Sequence, residues 1–265
     1  SLPHSIPTMT TVFFQNVVCL ILTLPLIMQK GFRTLKTERL KLHLVRDITG
    51  LISFFALFYS LRYIPLVDAM LLQNAAPLWI PFVIFIGLKI KVSPHAWWGI
   101  ILGLLGIILI LKPGAEMLNP AIIFGILSGI FLAISLVAIR RLTLTEPSYR
   151  IFFYYFLSGT LITFPFVIIN PGTFNMKSIG LLCAVGVCMY LTQVLVTYSF
   201  KHGKASILAP ISYSSILFSG ILGWLIWGYL PDSVSFLGMA MVIIGGMLTV
   251  LLEVREQKRL EKIIL

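Results

Sequence analysis

Residues 120–139 read PAIIFGILSGIFLAISLVAI, twenty consecutive positions without one charged side chain. At 1.5 Å per residue, a helix of that length spans about 30 Å, the thickness of a bilayer's hydrocarbon core. The run is too long and too uniformly apolar for a barrel strand, which would alternate lipid-facing and lumen-facing residues. In lipid, only a helix then satisfies every backbone N–H and C=O within the segment. This stretch is read as a transmembrane helix, and similar runs recur on both sides of it.

Nine such segments are expected: span A over 9–28, B over 48–65, C over 67–88, D over 95–111, E over 120–139, F over 149–169, G over 178–200, H over 205–229 and I over 233–252. The composition agrees. Hydrophobic residues make up 58% of the 265 and charged ones 11%, against about 25% charged in a soluble domain. Mean hydropathy is +1.01. The net charge of +11 lies between the apolar runs rather than on one patch, so it speaks for orientation in a membrane and against nucleic acid. The A–B, C–D, E–F and G–H loops together with the tail hold 17 of the 20 Lys and Arg, Arg46 counted in the A–B loop. Only Arg62, Lys112 and Lys177 fall on the other side. By the positive-inside rule the rich side is cytoplasmic, which puts the C-terminus inside and Ser1 outside. The localisation expected is a multi-pass protein of a bacterial inner membrane.

Shifting the chain by 139 residues lays span A on F, B on G, C on H and D on I without a gap. Phe13-Phe14 then meets Phe152-Phe153, Gly99 meets Gly238 and Gly106 meets Gly245. The identities are no more than chance allows in so apolar a chain; the common spacing is the signal. Span E has no partner. The simplest account is two five-helix repeats, 1–114 and 115–252, followed by a charged cytoplasmic tail over 253–265, with the first helix of the first repeat absent from this chain. Five is odd, so the halves are inverted, as in secondary transporters that hold their substrate near the midplane. The fold class expected is all-α integral membrane, a ten-helix fold of which nine spans are present.

The stretch FALFYSLRYIPL (residues 55–66), followed by Asp68-Ala69, resembles the third-to-fourth helix junction of EamA-like proteins of the drug/metabolite transporter superfamily. So do Pro77, the glycines from Gly99 to Gly106, and the ending LILKPG (residues 109–114). The likeness runs to about residue 250. It implies ten helices in two inverted repeats, cytoplasmic termini and alternating access. The family commonly has an Arg after the paired aromatics of its second helix; here Phe13-Phe14 is followed by Gln15-Asn16, so that residue's role is not carried over. A subgroup that takes up S-adenosylmethionine is similar in overall pattern, while other members export amino acids and drugs.

Polar groups deep in hydrocarbon are expensive, so they face a cavity or another helix. Gln73 and Asn74 lie roughly 10 Å into span C, and the 139-residue shift pairs them with Ser212 and Tyr213 in span H. This amide and hydroxyl set is the first candidate for substrate contact. The competing reading is bonding between helices, worth about 0.6 kcal/mol per bond. Gln193 with Tyr190 in span G, and Gln15 with Asn16 in span A, are further candidates. Asp68, near the outer start of span C, is a candidate proton carrier, against the alternative of a helix N-terminal carboxylate favoured by the dipole. Asp47 beside Arg46 reads as a cap at the cytoplasmic start of span B. The glycines Gly99, Gly103, Gly106, Gly125 and Gly129 are spaced for close helix approach. Pro25, Pro77, Pro81, Pro165 and Pro210 are expected to kink their helices.

With no Lys or Arg at mid-span by this reading, a phosphate dianion has no clamp, which argues against sugar-phosphate and nucleotide-sugar cargo. Cys19, Cys183 and Cys188 read as packed thiols, and His4, His43, His95 and His202 fall in loops or at span ends. No P-loop, zinc-protease motif or serine elbow is present, so no enzyme, cofactor or metal is expected. The function expected is secondary active transport of a small polar or zwitterionic metabolite, amino-acid-like or S-adenosylmethionine-like. The alternatives are a drug exporter of the same superfamily and a non-transporting receptor or structural membrane protein. The partners expected are that solute and the lipid bilayer, with a homodimer as one open arrangement. Cysteine labelling tests the topology: Lys36 and Lys204 should report the cytoplasm, and Asn119 and Asn175 the outside. Labelling of Asn175 and Lys204 from one side would remove the inverted repeat.

Overall fold

The computed structural model describes residues 7–89, 96–111, 120–169, 176–202, 214–228 and 232–264. All regular structure among them is helical: α1 (Thr8–Lys30), a 3-10 turn (Phe32–Leu35), α2 (Leu40–Ser60), α3 (Leu66–Asn74), α4 (Ala76–Leu88), α5 (Ala96–Leu111), α6 (Pro120–Leu142), α7 (Ser148–Ile169), α8 (Met176–His202), α9 (Ser214–Trp227) and α10 (Ser233–Ile264). Seven segments are long and apolar enough to cross a membrane, and α5 adds the shorter apolar run Trp97–Leu109. Of the nine spans expected, D is thus the shorter one, and H lies partly outside the described residues. The last helix does not stop at the end of span I; it continues to Ile264 through the charged tail.

The chain divides into two compact units. One comprises residues 1–51 and 138–202, the other residues 52–137 and 203–265. Two of the three boundaries fall inside helices, α2 and α6, and the third follows the last residue of α8, so neither unit is a contiguous piece of sequence.

In the second unit the central contact is between α5 and α10. A Cβ placed on Gly106 would lie 2.6 Å from the Gly238 carbonyl oxygen, and one on Gly99 would lie 2.6 Å from the Gly245 carbonyl oxygen. Numbers rise along one helix as they fall along the other, so the two run antiparallel. The 139-residue shift equates Gly99 with Gly238 and Gly106 with Gly245. Each contact is therefore the image of the other, as a two-fold axis between inverted halves requires. With no hydrophobic drive between helices in lipid, such glycine faces let the backbones close to van der Waals contact. Beside them Leu71, Leu72, Ala75, Leu78, Ile107, Met239 and Val242 form the buried apolar core. Gly125 and Gly129 of α6 receive Leu72 of α3, with its side chain at the first and its carbonyl oxygen at the second. Ser53 and Ser60 of α2 donate to the Ser128 and Ala121 carbonyls of α6 at 2.8 and 2.9 Å.

In the first unit α1 packs on α7 and α8. Asn16 fills the space over Gly159, and Phe13 meets Phe164 at 5.9 Å between ring centroids. These pairings again run antiparallel, between the two helices that the shift equates as A and F. Cys19 is buried and its Sγ donates to the Gly186 carbonyl at 3.2 Å. The reading of all three cysteines as packed thiols holds only there, since Cys183 and Cys188 are exposed.

Gly245→Val places a branched side chain against the α5 backbone. It is expected to cost about 1–3 kcal/mol by overpacking, read as a lower unfolding midpoint of the purified protein in detergent. Gly87→Ala, with nothing within 4 Å of the added carbon, should leave the midpoint where it is.

Candidate functional site

Helix α2 begins at Leu40, eight residues ahead of the expected start of span B. The segment Leu40-Lys41-Leu42-His43-Leu44-Val45 is apolar enough to propagate a helix upstream. Its start is organised by Thr37, whose Oγ1 accepts the Arg39 backbone N–H at 2.9 Å. This earlier start changes three expectations at once. Arg46 and Asp47 are not at a helix cap but in the second helical turn, roughly 10 Å from the helix start. Their side chains are 1% and 2% exposed. A buried arginine therefore lies within the helix that carries span B, nearer its start than its middle, and the argument against anionic cargo that rested on there being no cation at mid-span is weakened. His43, expected at a span end, is fully buried in the same helix.

Arg46 is held from two sides. Its NH2 donates to Oε1 of Gln193 on α8 at 2.9 Å. Its guanidinium carbon sits 3.4 Å from the centroid of the Tyr155 ring on α7, a cation–π arrangement that suits the planar guanidinium. The third neighbour is Asp47 itself, with NH1 to Oδ1 at 3.6 Å. That distance is an ion pair but exceeds a hydrogen bond, because neighbouring positions on a helix diverge and do not face each other. The Asp47 Oδ1 accepts no hydrogen bond among the described residues.

Further polar groups of the first unit lie on α1 and α8. Asn16 Nδ2 donates to the Val12 carbonyl at 2.8 Å, while Gln15 is buried with an Oε1 that has no hydrogen-bond partner among the described residues. Tyr190 meets Phe156 at 6.2 Å between ring centroids. Of the sequence candidates, Gln193 joins the cluster directly. Gln15, Asn16 and Tyr190 lie on the helices that enclose it.

Next to the cluster, a second network ties two connections together. Thr37 donates to Glu146 Oε1 at 2.6 Å, Glu146 pairs with Arg150, and Arg150 donates to the Thr34 carbonyl. The Tyr154 hydroxyl donates to the Leu35 carbonyl at 3.1 Å, and His43 stacks on Tyr154 at 4.6 Å. The A–B connection is thereby fastened to the start of α7.

In the second unit, span C is not one helix. It breaks at Ala75 between α3 and α4. Pro77 has no N–H to give the Gln73 carbonyl four residues back, which accounts for the interruption. Gln73 and Asn74 stand at this break. Gln73 is buried, and Asn74 Nδ2 donates to the Met70 carbonyl at 2.7 Å, within its own helix. Asp68 lies in the first turn of α3, where the dipole favours a carboxylate. Ser212, Tyr213 and Pro210 lie outside the described residues. Among the described residues no group of His, Cys, Asp or Glu is arranged to hold a metal ion.

Sequence reasoning thus missed Arg46, Asp47, His43 and Tyr155. The available signal was Leu40, Leu42, Leu44 and Val45 on either side of His43, which lengthen the helix upstream and carry the charged pair into it.

The model of the EamA-like transporter family matches residues 1–112 and 119–251. The pseudopaline exporter CntI of Pseudomonas aeruginosa is 30% identical over 245 residues, covering 91% of this chain and 85% of the exporter. The S-adenosylmethionine uptake transporter of Rickettsia bellii is 26% identical, covering 87% of this chain and 79% of that transporter. The riboflavin transporter of Vibrio cholerae is 22% identical over 98% of this chain and 88% of its own. A crystal structure superposes with a TM-score of 0.67 over 95% of this chain and 90% of its own, at 18% identity, a likeness of fold alone.

If Tyr155 and Gln193 hold the guanidinium, removing either should be felt as stability. Gln193→Ala is expected to cost about 1.5–3 kcal/mol. Tyr155→Leu is expected to cost about 2 kcal/mol, and Tyr155→Phe less, since the ring face makes the contact. Unfolding midpoints in detergent check the order; equal losses for the Phe and Leu variants would contradict it.

Proposed function

This chain belongs to the EamA-like transporter family, whose named relatives are transporters and not enzymes, and from that premise we propose that it is a secondary active transporter of a small polar or zwitterionic organic metabolite. It is a multi-pass membrane protein with a small-molecule cargo. The finer reading is alternating access of an amino-acid-like or S-adenosylmethionine-like solute across a bacterial inner membrane, with the C-terminus inside.

One observation carries this reading: helix breakage and polar burial occur together inside segments that cross the bilayer. Span C is interrupted at Ala75 beside Gln73 and Asn74. Discontinuous helices are where secondary transporters place substrate, because an interrupted ladder offers backbone and side-chain groups to a ligand. The relatives named for S-adenosylmethionine uptake and riboflavin transport support a polar organic cargo. The relative named as an exporter supports outward transport equally well, so direction is left to experiment. The buried Arg46 brings an anionic group of the cargo within the chemistry available. A homodimer and the absence of nucleic-acid partners remain part of the proposal.

Uptake of labelled amino acids and S-adenosylmethionine into proteoliposomes, with and without a pH gradient, tests the function. The site proposed for contact is Asn74 with Tyr213, supported by Gln73 and Ser212. Loss of one substrate hydrogen bond should cost about 0.5–1.5 kcal/mol, or up to about tenfold in affinity. Asn74→Ala and Tyr213→Phe should therefore weaken binding while the unfolding midpoint of the apo protein stays nearly unchanged. Loss of stability with unchanged affinity would make them helix-packing groups.

A further inference from the structure

We propose that Asp47 is the group that takes up and releases a proton during transport, with Arg46 as its fixed counter-charge; this rests on the transporter reading above. The first unit has three carboxylates. Glu38 is exposed, and Glu146 is committed to Arg150 and Thr37. Asp47 alone lies deep in a spanning helix, 2% exposed. A carboxyl or carboxylate there is a functional group by default in a membrane, since lipid offers no solvation to the charged form.

The geometry separates the roles of the two partners. A carboxylate sheds its charge by binding a proton, whereas a guanidinium keeps its charge at any physiological pH. Arg46 is anchored independently of Asp47, by Gln193 at 2.9 Å and by the Tyr155 ring at 3.4 Å. Protonating Asp47 therefore breaks the ion pair without releasing the arginine. The pair is loose to begin with, at 3.6 Å. With both side chains enclosed, the smallest coupling ion is the one that reaches them with the least displacement of neighbours. The step balances simply. One proton from water on one side forms the O–H bond of Asp47, and the same proton leaves to water on the other side, restoring the pair.

The titratable and charged groups that face Asp47 are Arg46 on its own helix and Tyr155 on α7; one step further out, His43 lies near Arg46, Cys19 of α1 near Tyr155, and Tyr190 of α8 near Cys19. Glu146 and Arg150 lie beyond His43, and Ser158 of α7 lies alongside the carboxylate. None of the others in this set is a second carboxylate facing Asp47. The proposal moves the coupling role from Asp68, which sits in the first turn of α3, to a site in the other unit.

The test reads the proton directly. Infrared difference spectra of the full chain in lipid, taken across a pH titration, should show a protonated-carboxyl band that appears as pH falls. The band should be lost in Asp47→Asn and shifted in frequency in Asp47→Glu, which guards against a variant that fails to fold. A wild-type spectrum with no titrating carboxyl band, or a band that survives Asp47→Asn and vanishes in Asp68→Asn, overturns the proposal. The second arm uses proteoliposomes and the amino acids and S-adenosylmethionine named above. Asp47→Asn should keep solute exchange and lose accumulation driven by a pH gradient; gradient-driven accumulation at the wild-type level would overturn the coupling role. Failure of wild-type vesicles to move any of those solutes would count against the transporter reading, while the infrared arm still decides whether Asp47 binds the proton.

Discussion

Within a bilayer's hydrocarbon no water is available to a backbone N–H or C=O, and every helix of this protein follows from that constraint. It also removes the force that packs soluble helices together, since a leucine gains little by leaving lipid for another leucine. What remains is close contact between small residues and hydrogen bonding between polar ones. The two units rely on these in different proportions. The α5–α10 contact of the second unit is a glycine seam in which the carbonyls of Gly238 and Gly245 approach the opposite backbone. The first unit is organised around a guanidinium shared by three helices.

The same constraint makes interruptions informative. A helix broken in hydrocarbon exposes groups that something must satisfy, and the break at Ala75 is placed by a proline that cannot donate. Buried charge is informative in the same way. An arginine in a span is tolerated because Tyr155, Gln193 and Asp47 replace its hydration shell. Replacing it by lysine would lose both the planar stacking and the directed N–H donor. The protein thus concentrates cost at two places, one in each unit, and these are where transport chemistry is proposed.

The inverted repeat shows how a weak sequence signal acquires physical meaning. Identities across the 139-residue shift are too few to argue from. The reciprocal contacts of Gly99 with Gly245 and of Gly106 with Gly238 have a simple origin. Two copies of one helix meeting across a two-fold axis must offer each other the same face. The family match over residues 1–112 and 119–251 agrees with the extent of resemblance read from residues 55–66 and 109–114. The Gly spacing and the interruption beside Pro77 were legible because they depend on local sequence. The start of α2 was not: hydropathy places a boundary where charge begins, and a charge that is partnered in three dimensions does not end a helix.

By itself the sequence determined that the chain crosses a membrane many times as helices and that it resembles EamA-like transporters, and its segment spacing pointed to a 139-residue repeat. These follow from apolar length, segment spacing and short motifs, all of which are local. Only the tertiary structure decided that Arg46 and Asp47 are interior, that Gln193 serves the arginine, and that span C is two helices meeting at Ala75. The first two depend on partners 100 or more residues away, such as Tyr155 and Gln193, and no window along the chain contains both a charge and the distant groups that solvate it.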